Sequence, residues 1–98
     1  MISTSSVANE IDAHIRKYGG GYPAWYVGIA ADPVDRLFND HNVQKKGDAW
    51  IHRDAGSEQA AREVEQHFIG LGCQGGGGGG SYQTRHVYAY KMAAHTRP

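Results

Sequence analysis

The sequence has little cysteine, and this scarcity excludes two kinds of stabilisation. Cys73 is the only cysteine among 98 residues, so no disulfide can form within the chain. A single cysteine cannot build a structural zinc site either, and His14, His67, His86 and His95 show no pairing at metal-ligand spacing. Disulfide-poor chains fit a reducing compartment, so the sequence predicts a cytoplasmic protein.

Long apolar runs and an excess of either charge are also missing. No window approaches the ~18 apolar residues of a membrane span, and residues 1–6 lack the basic and apolar segments of a signal peptide. Lys plus Arg and Asp plus Glu each total 10, which gives a formal charge of +0. Bulk charge therefore gives no sign of nucleic-acid binding, and no membrane partner is expected.

Two local features depart from this neutral background. Gln44-Lys45-Lys46 and Arg53 form a basic cluster that could meet a nucleic-acid backbone, although a solvated turn is the commoner meaning of such residues. The 6 histidines could gain charge together near about pH 6–7. Any basic patch that contacts nucleic acid would have to be local.

Apolar residues at spacings of three and four predict three helices. Each helix has end signals, because hydroxyl and carboxylate side chains accept hydrogen bonds from free amides and glycine tolerates left-handed backbone. The helices are predicted over residues 7–18 (cap Ser5 or Ser6, stop Gly19), 32–42 (started by Asp32-Pro33) and 57–71 (cap Ser57, stop Gly72). The apolar face of the third comprises Ala60, Ala61, Val64, Phe68 and Leu71.

Segments rich in aromatic and β-branched residues predict strands. Residues 24–30 are apolar without alternation, so both faces of that strand should be covered, whereas residues 85–92 alternate between two faces. Residues 49–52 are either a third strand or an aromatic plug over the core. The chain is thus predicted to be one α+β domain, 1–98, with two or three strands, about three helices and a glycine-rich connection at Gly75 to Gly80.

The segment that joins the first strand to the second helix carries a recognisable motif. Tyr26-Val27-Gly28 precedes a short turn and Arg36-Leu37, and Arg36 lies ten residues after Tyr26. Further along, Glu65-Gln66-His67-Phe68-Ile69 places a Glu on a helix with an aromatic and an aliphatic residue after it. Over residues 24–92 the chain resembles the GIY-YIG nucleases, in which Tyr-(Ile/Val)-Gly leads to a helix with an invariant Arg.

The resemblance implies a GIY-YIG-like core and a metal-dependent endonuclease that cleaves phosphodiester bonds in nucleic acid. By the same resemblance Arg36 would bind the scissile phosphate, Glu65 would hold Mg²⁺ or Mn²⁺, and Tyr26 would orient or deprotonate water. Glu63 is the alternative metal ligand in the other register, and His41 is an optional proton-transfer group. Arg suits its role because its rigid fork of donors matches phosphate oxygens.

The chain departs from the family pattern in three places. The first strand, with Gly-Ile-Tyr about ten residues before the second, is absent, and so is a polar residue, often Asn, after the Glu helix. The family often has His four residues after the Arg, whereas Asp40 stands there and His41 comes one step later, about 100° around an α-helix. Candidates for the missing tyrosine are Tyr18, Tyr22, Tyr88 and Tyr90.

The alternative hypothesis is a non-catalytic interaction module that retains the fold and binds a protein or nucleic-acid partner. The missing strand would leave an exposed sheet edge, which could pair with a partner chain or form a homo-oligomer. The nuclease hypothesis instead requires Tyr26, Arg36 and Glu65 to converge on one open groove.

Overall fold

Three helices and one antiparallel sheet make up the fold in the computed structural model, which describes residues 4–75 and 84–98. Gly76 to Gly80 of the predicted glycine connection lie outside these ranges. The predicted α+β class is confirmed. The elements are α1 (Thr4–Tyr18), β1 (Trp25–Ala30), α2 (Pro33–Asp35, continued by a π-helical turn, Arg36–Asp40), β2 (Trp50–Asp54), α3 (Glu58–Leu71) and β3 (His86–Lys91). None of the described helices is long and apolar enough to cross a membrane.

The first helix begins earlier than its sequence suggested. Because α1 starts at Thr4, Ser5 and Ser6 lie inside its first turn, and the prediction that one of them caps the helix is wrong. The first amides of a helix are free of intrahelical bonds, so serine is tolerated there. Gly19 ends α1 as predicted, with φ 77 and its amide bonded to the Ile15 carbonyl.

The third helix follows its predicted signals at both ends. The Ser57 side chain accepts a hydrogen bond from the Ala60 amide, and Gly72 closes α3 with φ 119. Its buried apolar residues are Ala61, Val64 and Phe68, while Leu71 is exposed, contrary to its predicted place on the apolar face. Leu71 precedes the terminating glycine, where the helix has passed the edge of the core.

The second helix starts as predicted but changes its winding. The Asp32 side chain accepts from the Asp35 amide at 3.1 Å, and Pro33 occupies the first turn. From Arg36 the helix widens, and the His41 amide bonds to the Arg36 carbonyl five residues back, at 2.9 Å. One extra residue is therefore fitted into this turn relative to an α-helix.

The sheet has the order β1-β3-β2, so the last strand is central. The predicted pairing of the two longer strands is confirmed, with Gly28 opposite Tyr88. Of the two hypotheses for residues 49–52, the strand is confirmed from Trp50 onward, and Ala49 precedes it. On its other side β1 makes a short parallel bridge between Tyr26 and Gln74. β1 is thus an outer strand of the sheet, and this bridge lies on its outer side.

Both faces of the sheet are covered, as predicted for β1, but by different chemistry. One face packs on α1 and α3 through apolar side chains, chiefly Val7, Ile11, Ile15, Trp25, Val27, Ile51, Val64, Phe68, Val87 and Ala89. The other packs on α2 through a cluster rich in tyrosine, comprising Tyr26, Ala30, Leu37, Val43, Tyr88 and Tyr90. The alternation of β3 sorts its residues between these faces.

Candidate functional site

The Tyr88 hydroxyl lies at the centre of the residues that the motif singled out. Tyr88 is opposite Gly28 in the sheet, and its ring lies over that glycine. A Cβ at position 28 would collide with the Tyr88 hydroxyl, so the motif glycine leaves the room that the phenol occupies. The hydroxyl can therefore cross β1 and reach α2.

His41 lies directly beneath that hydroxyl. Its Nε2 is 2.7 Å from the Tyr88 hydroxyl and its Nδ1 is 2.6 Å from the Arg97 carbonyl, and only 4% of the residue is exposed. The expectation that His41 faces about 100° away assumed α-helical winding. The π-helical turn from Arg36 absorbs the extra residue, so the fifth residue after the arginine reaches the sheet.

Arg36 is the charged member of the cluster that reaches solvent. Its side chain is 46% exposed, and its Nη1 lies 3.2 Å from the Asp40 carboxylate. The Tyr88 hydroxyl is the main cause of the raised pKa of Arg36. Asp40, which occupies the position of the family's histidine, serves here as a partner of Arg36.

Tyr26 contributes an aromatic wall rather than a free hydroxyl group to this cluster. Its ring is stacked on those of Tyr88 and Tyr90, with centroids 6.4 Å and 5.3 Å away, and lies 4.7 Å from the His41 ring. Only 7% of Tyr26 is exposed. The hydroxyl 2.7 Å from His41 Nε2 is that of Tyr88, not that of Tyr26.

Glu65 is buried on α3, with 3% of its surface exposed, whereas Glu63 in the alternative register is exposed. Burial raises the pKa of Glu65, because the charged form loses hydration, although Arg62 and a hydrogen bond with Gln66 oppose this shift. Its charge also contributes to the raised pKa of Tyr88, after burial and Tyr26. Glu65 belongs to α3, on the side of the sheet away from α2.

A metal at Glu65 would have few protein ligands. Within residues 4–75 and 84–98 no group of three or more His, Cys, Asp or Glu side chains could hold a metal ion by itself. Mg²⁺ is commonly bound through one or two carboxylates, with water and substrate phosphate oxygens completing its shell. Glu65, which is buried, could supply one carboxylate to such a metal and does not form a stand-alone site.

The protonation states of the cluster follow from its burial. Burial raises the pKa of Tyr88 to about 12, against the opposing effect of Arg36, so the phenol keeps its proton at neutral pH. Burial also lowers the pKa of His41, and the positive charge of Arg36 acts in the same direction. A neutral imidazole therefore meets a neutral phenol, beside a guanidinium that is always charged.

A shallow depression lies beside Arg36. The depression lies between the end of β1 and the start of α2, and the side chains around it are mixed in character. Its lining residues are Ile29, Ala30, Ala31, Asp32, Asp35, Arg36 and Thr84. Of Tyr26, Arg36 and Glu65, only Arg36 lines this depression, because the other two are buried.

The fold places two of the four candidate tyrosines in the cluster and two away from it. Tyr18 is 46% exposed at the end of α1, and the Tyr22 hydroxyl donates to Asp12, away from α2. Tyr88 and Tyr90 lie in the cluster, as the alternation of β3 allowed. The contribution of Arg97 was missed, because a main-chain carbonyl far along the chain leaves no signal in sequence.

The basic cluster is spread over two parts of the surface. Lys45 and Lys46 are exposed in the turn before β2, and Lys45 Nζ lies 5.3 Å from the centre of the Phe38 ring. Arg53 instead pairs with Glu10 of α1 at 3.3 Å. The two lysines are on the segment that follows α2, and Arg53 belongs to a different neighbourhood.

Comparisons with protein-family models, with curated proteins and with solved structures found no match to this chain. The geometry of the Tyr88 cluster is therefore what the functional argument rests on.

Proposed function

We propose that this protein is a metal-dependent endonuclease of the GIY-YIG type, acting on phosphodiester bonds of nucleic acid. The observation that carries the proposal is the arrangement around the Tyr88 hydroxyl. His41 Nε2 lies 2.7 Å from this hydroxyl, Gly28 leaves room for it, and Arg36 interacts with it electrostatically. Gly28 and Arg36 belong to the motif, whereas His41 and Tyr88 stand outside the motif spacing.

The order of the strands supports the proposal. In the family the missing Gly-Ile-Tyr strand pairs as a hairpin with the Tyr-(Ile/Val)-Gly strand. Here β3 pairs antiparallel with β1, and Val87-Tyr88 stands beside the Tyr26-Val27-Gly28 strand. The tyrosine that the first strand would supply thus has a counterpart that comes from the other end of the chain.

The roles follow from the chemistry of each group. Arg36 would grip two phosphate oxygens with its planar fork, because it is exposed and always charged. Tyr88 would hold the attacking water, and His41, 2.7 Å away, is the group that can take up the phenol's proton as the phenol accepts one from water. Tyr26 keeps the two rings in place. Mg²⁺ or Mn²⁺ held by Glu65 would neutralise charge on the phosphate.

A nicking assay tests this assignment. Supercoiled plasmid, single-stranded DNA and branched DNA would be incubated with wild type in Mg²⁺ or Mn²⁺, and with Arg36→Ala, Glu65→Gln and Tyr88→Phe. We expect cleavage by wild type and its loss in all three variants. Arg53→Ala is the matched control, since it removes an equally exposed arginine that pairs with Glu10 away from Tyr88. Retained cleavage in Arg36→Ala and Glu65→Gln would refute the nuclease.

One observation favours the second candidate, a non-catalytic interaction module. Tyr88, Tyr90 and His41 are 1%, 0% and 4% exposed, so their polar groups satisfy one another inside the fold. A sheet edge remains available for pairing, since among the described residues no strand joins the outer side of β2. Folded wild type that cleaves nothing but elutes as a dimer, and becomes monomeric in His52→Pro, whose amide points away from β3, would support this candidate.

A further inference from the structure

The tail segment, residues 93–98, runs back across the buried end of α2. The Arg97 amide donates to the His41 carbonyl at 2.8 Å. The next residue after His41, Asn42, has a positive φ of 56 and turns its side chain toward the tail. Two side-chain contacts hold the segment there: Asn42 Nδ2 to the His95 carbonyl at 2.9 Å, and His95 Nε2 to Asp48 Oδ2 at 2.5 Å.

Two phenols face the two nitrogens of the His41 ring. The Tyr88 hydroxyl is 2.7 Å from Nε2, and the Tyr90 hydroxyl is 3.2 Å from Nδ1. A hydroxyl can donate or accept, and a neutral imidazole has one nitrogen of each kind. With the two phenols alone, either tautomer of His41 could be satisfied, and the hydrogen bond with Tyr88 could run in either direction.

The Arg97 carbonyl removes this freedom. It can only accept, and it lies 2.6 Å from His41 Nδ1 and 3.0 Å from the Tyr90 hydroxyl. The hydrogen must therefore be on Nδ1, and the Tyr90 hydroxyl donates to the same carbonyl. Nε2 is left with its lone pair, so Tyr88 has to donate to it.

We infer that the main-chain carbonyl of Arg97 is the positioning group of this site, which holds His41 as the Nδ1–H tautomer and makes Tyr88 the donor to Nε2. This inference rests on the proposed nuclease for its catalytic meaning, but the tautomer can be measured without any activity. With the phenol proton directed at Nε2, the lone pairs of the Tyr88 oxygen are free for Arg36 and for a water molecule. The charged or titratable groups around the ring are Tyr26 of β1, Tyr88 and Tyr90 of β3, and Arg36 and Asp40 of α2.

Nitrogen chemical shifts of His41 in the full chain give the direct test. A free neutral histidine prefers hydrogen on Nε2, so we expect wild type to show the less common Nδ1–H form at pH 8. Two substitutions at one position form a matched pair. Arg97→Ala keeps the amide and carbonyl and should leave the tautomer unchanged, whereas Arg97→Pro loses the amide that anchors the segment to His41 and should populate the Nε2–H form.

A chain ending at Ala93 removes the carbonyl altogether and should show the same change as Arg97→Pro. If this shorter chain does not fold, the comparison of Arg97→Ala with Arg97→Pro in the full chain tests the inference. The inference is overturned by an Nε2–H form in wild type, by an Nδ1–H form that persists in Arg97→Pro and in the folded shorter chain, or by Arg97→Ala behaving like Arg97→Pro.

The kinetic consequence separates this inference from the proposed function. We expect Arg97→Pro to lower kcat about 10²-fold, the usual contribution of general acid–base catalysis, with KM unchanged, and Arg97→Ala to keep kcat. If wild type cleaves no nucleic acid but the tautomer changes as expected, the nuclease fails and the positioning role stands. If wild type cleaves and Arg97→Pro keeps full kcat with an altered tautomer, the catalytic meaning of the tautomer is refuted.

Discussion

The two faces of the sheet are both buried, yet they are built on different principles. The face toward α1 and α3 is apolar, and its interactions depend on shape and contact area. The face toward α2 joins aromatic rings to an imidazole, a guanidinium and main-chain carbonyls, whose hydrogen bonds have direction. The face toward α1 and α3 should therefore be sensitive to changes in side-chain volume. The face toward α2 should be sensitive to the loss of a hydrogen-bond donor or acceptor. The directional contacts of Tyr88, His41 and Arg36 thus lie on the face toward α2, whereas Glu65, the proposed metal ligand, belongs to α3, which covers the apolar face.

The largest loss of stability is expected from a substitution in the apolar face. Phe68 is fully buried at 0% exposed, so Phe68→Ala should destabilise the protein by about 3–5 kcal/mol, through lost burial and the cavity left behind. Urea denaturation would measure the change. Phe38→Ala on the half-buried side of α2 is the matched control, and we expect a smaller loss there. Equal losses would contradict the division of roles between the faces.

A smaller loss of stability is expected from a substitution at Gly28 of β1, a strand that contributes side chains to both faces. Gly28→Ala places a Cβ against the Tyr88 hydroxyl, and relieving that collision should cost about 1–3 kcal/mol and displace the phenol from His41. Denaturation and the His41 ring signals would report the two consequences. Gly70→Ala on α3 is the control, because nothing lies within 4 Å of a Cβ there and alanine favours helix. A stable Gly28→Ala with unchanged His41 signals would contradict the close packing of Tyr88.

The pH dependence of folding should sharpen the comparison. Burial lowers the pKa of His14, His41 and His52 below the ordinary value of 6.5. The unfolded chain therefore binds these protons first as the pH falls, so the free energy of unfolding should be constant above pH 7 and decrease below about pH 6.5. Denaturant titrations across this range measure the slope. Replacing His41 by Gln should remove part of it, and an unchanged slope would show that His41 is not buried as a neutral ring.

The smallest expected effect is a gain in stability and not a loss. Burial raises the pKa of Glu65 above its ordinary value of 4.5, so the folded protein loses stability as the pH rises above that value and the carboxyl group ionises. Glu65→Gln should consequently raise the midpoint of thermal unfolding at pH 7 while it abolishes cleavage, as is common for groups held at a functional site. The exposed Glu63→Gln serves as control, with little change in either property. A less stable Glu65→Gln would indicate that Glu65 stabilises the fold.

Much of the site could be named from the motif spacing, but its arrangement could not. The motif pointed to Tyr26, Arg36 and His41 on the side of the sheet toward α2, and to Glu65 on α3. The hydroxyl that contacts His41 is nonetheless that of Tyr88. The error about His41 arose because a local 100° rule holds only for α-helical winding. The predicted cap of α1 was wrong for a similar local reason. Several hydroxyl residues near the start of the helix fit the capping pattern, and tertiary packing determines which residue begins the helix.

What the sequence determined by itself was local. The period of its apolar residues set α3 and the two faces of β3, Asp32-Pro33 set the start of α2, and Gly19 and Gly72 set two ends. Only the tertiary structure decided that the last strand is central, that Tyr88 lies over Gly28, and that the Arg97 carbonyl meets His41. These contacts join residues up to 60 positions apart, as Gly28 and Tyr88 are, and they depend on long-range packing that no local pattern encodes.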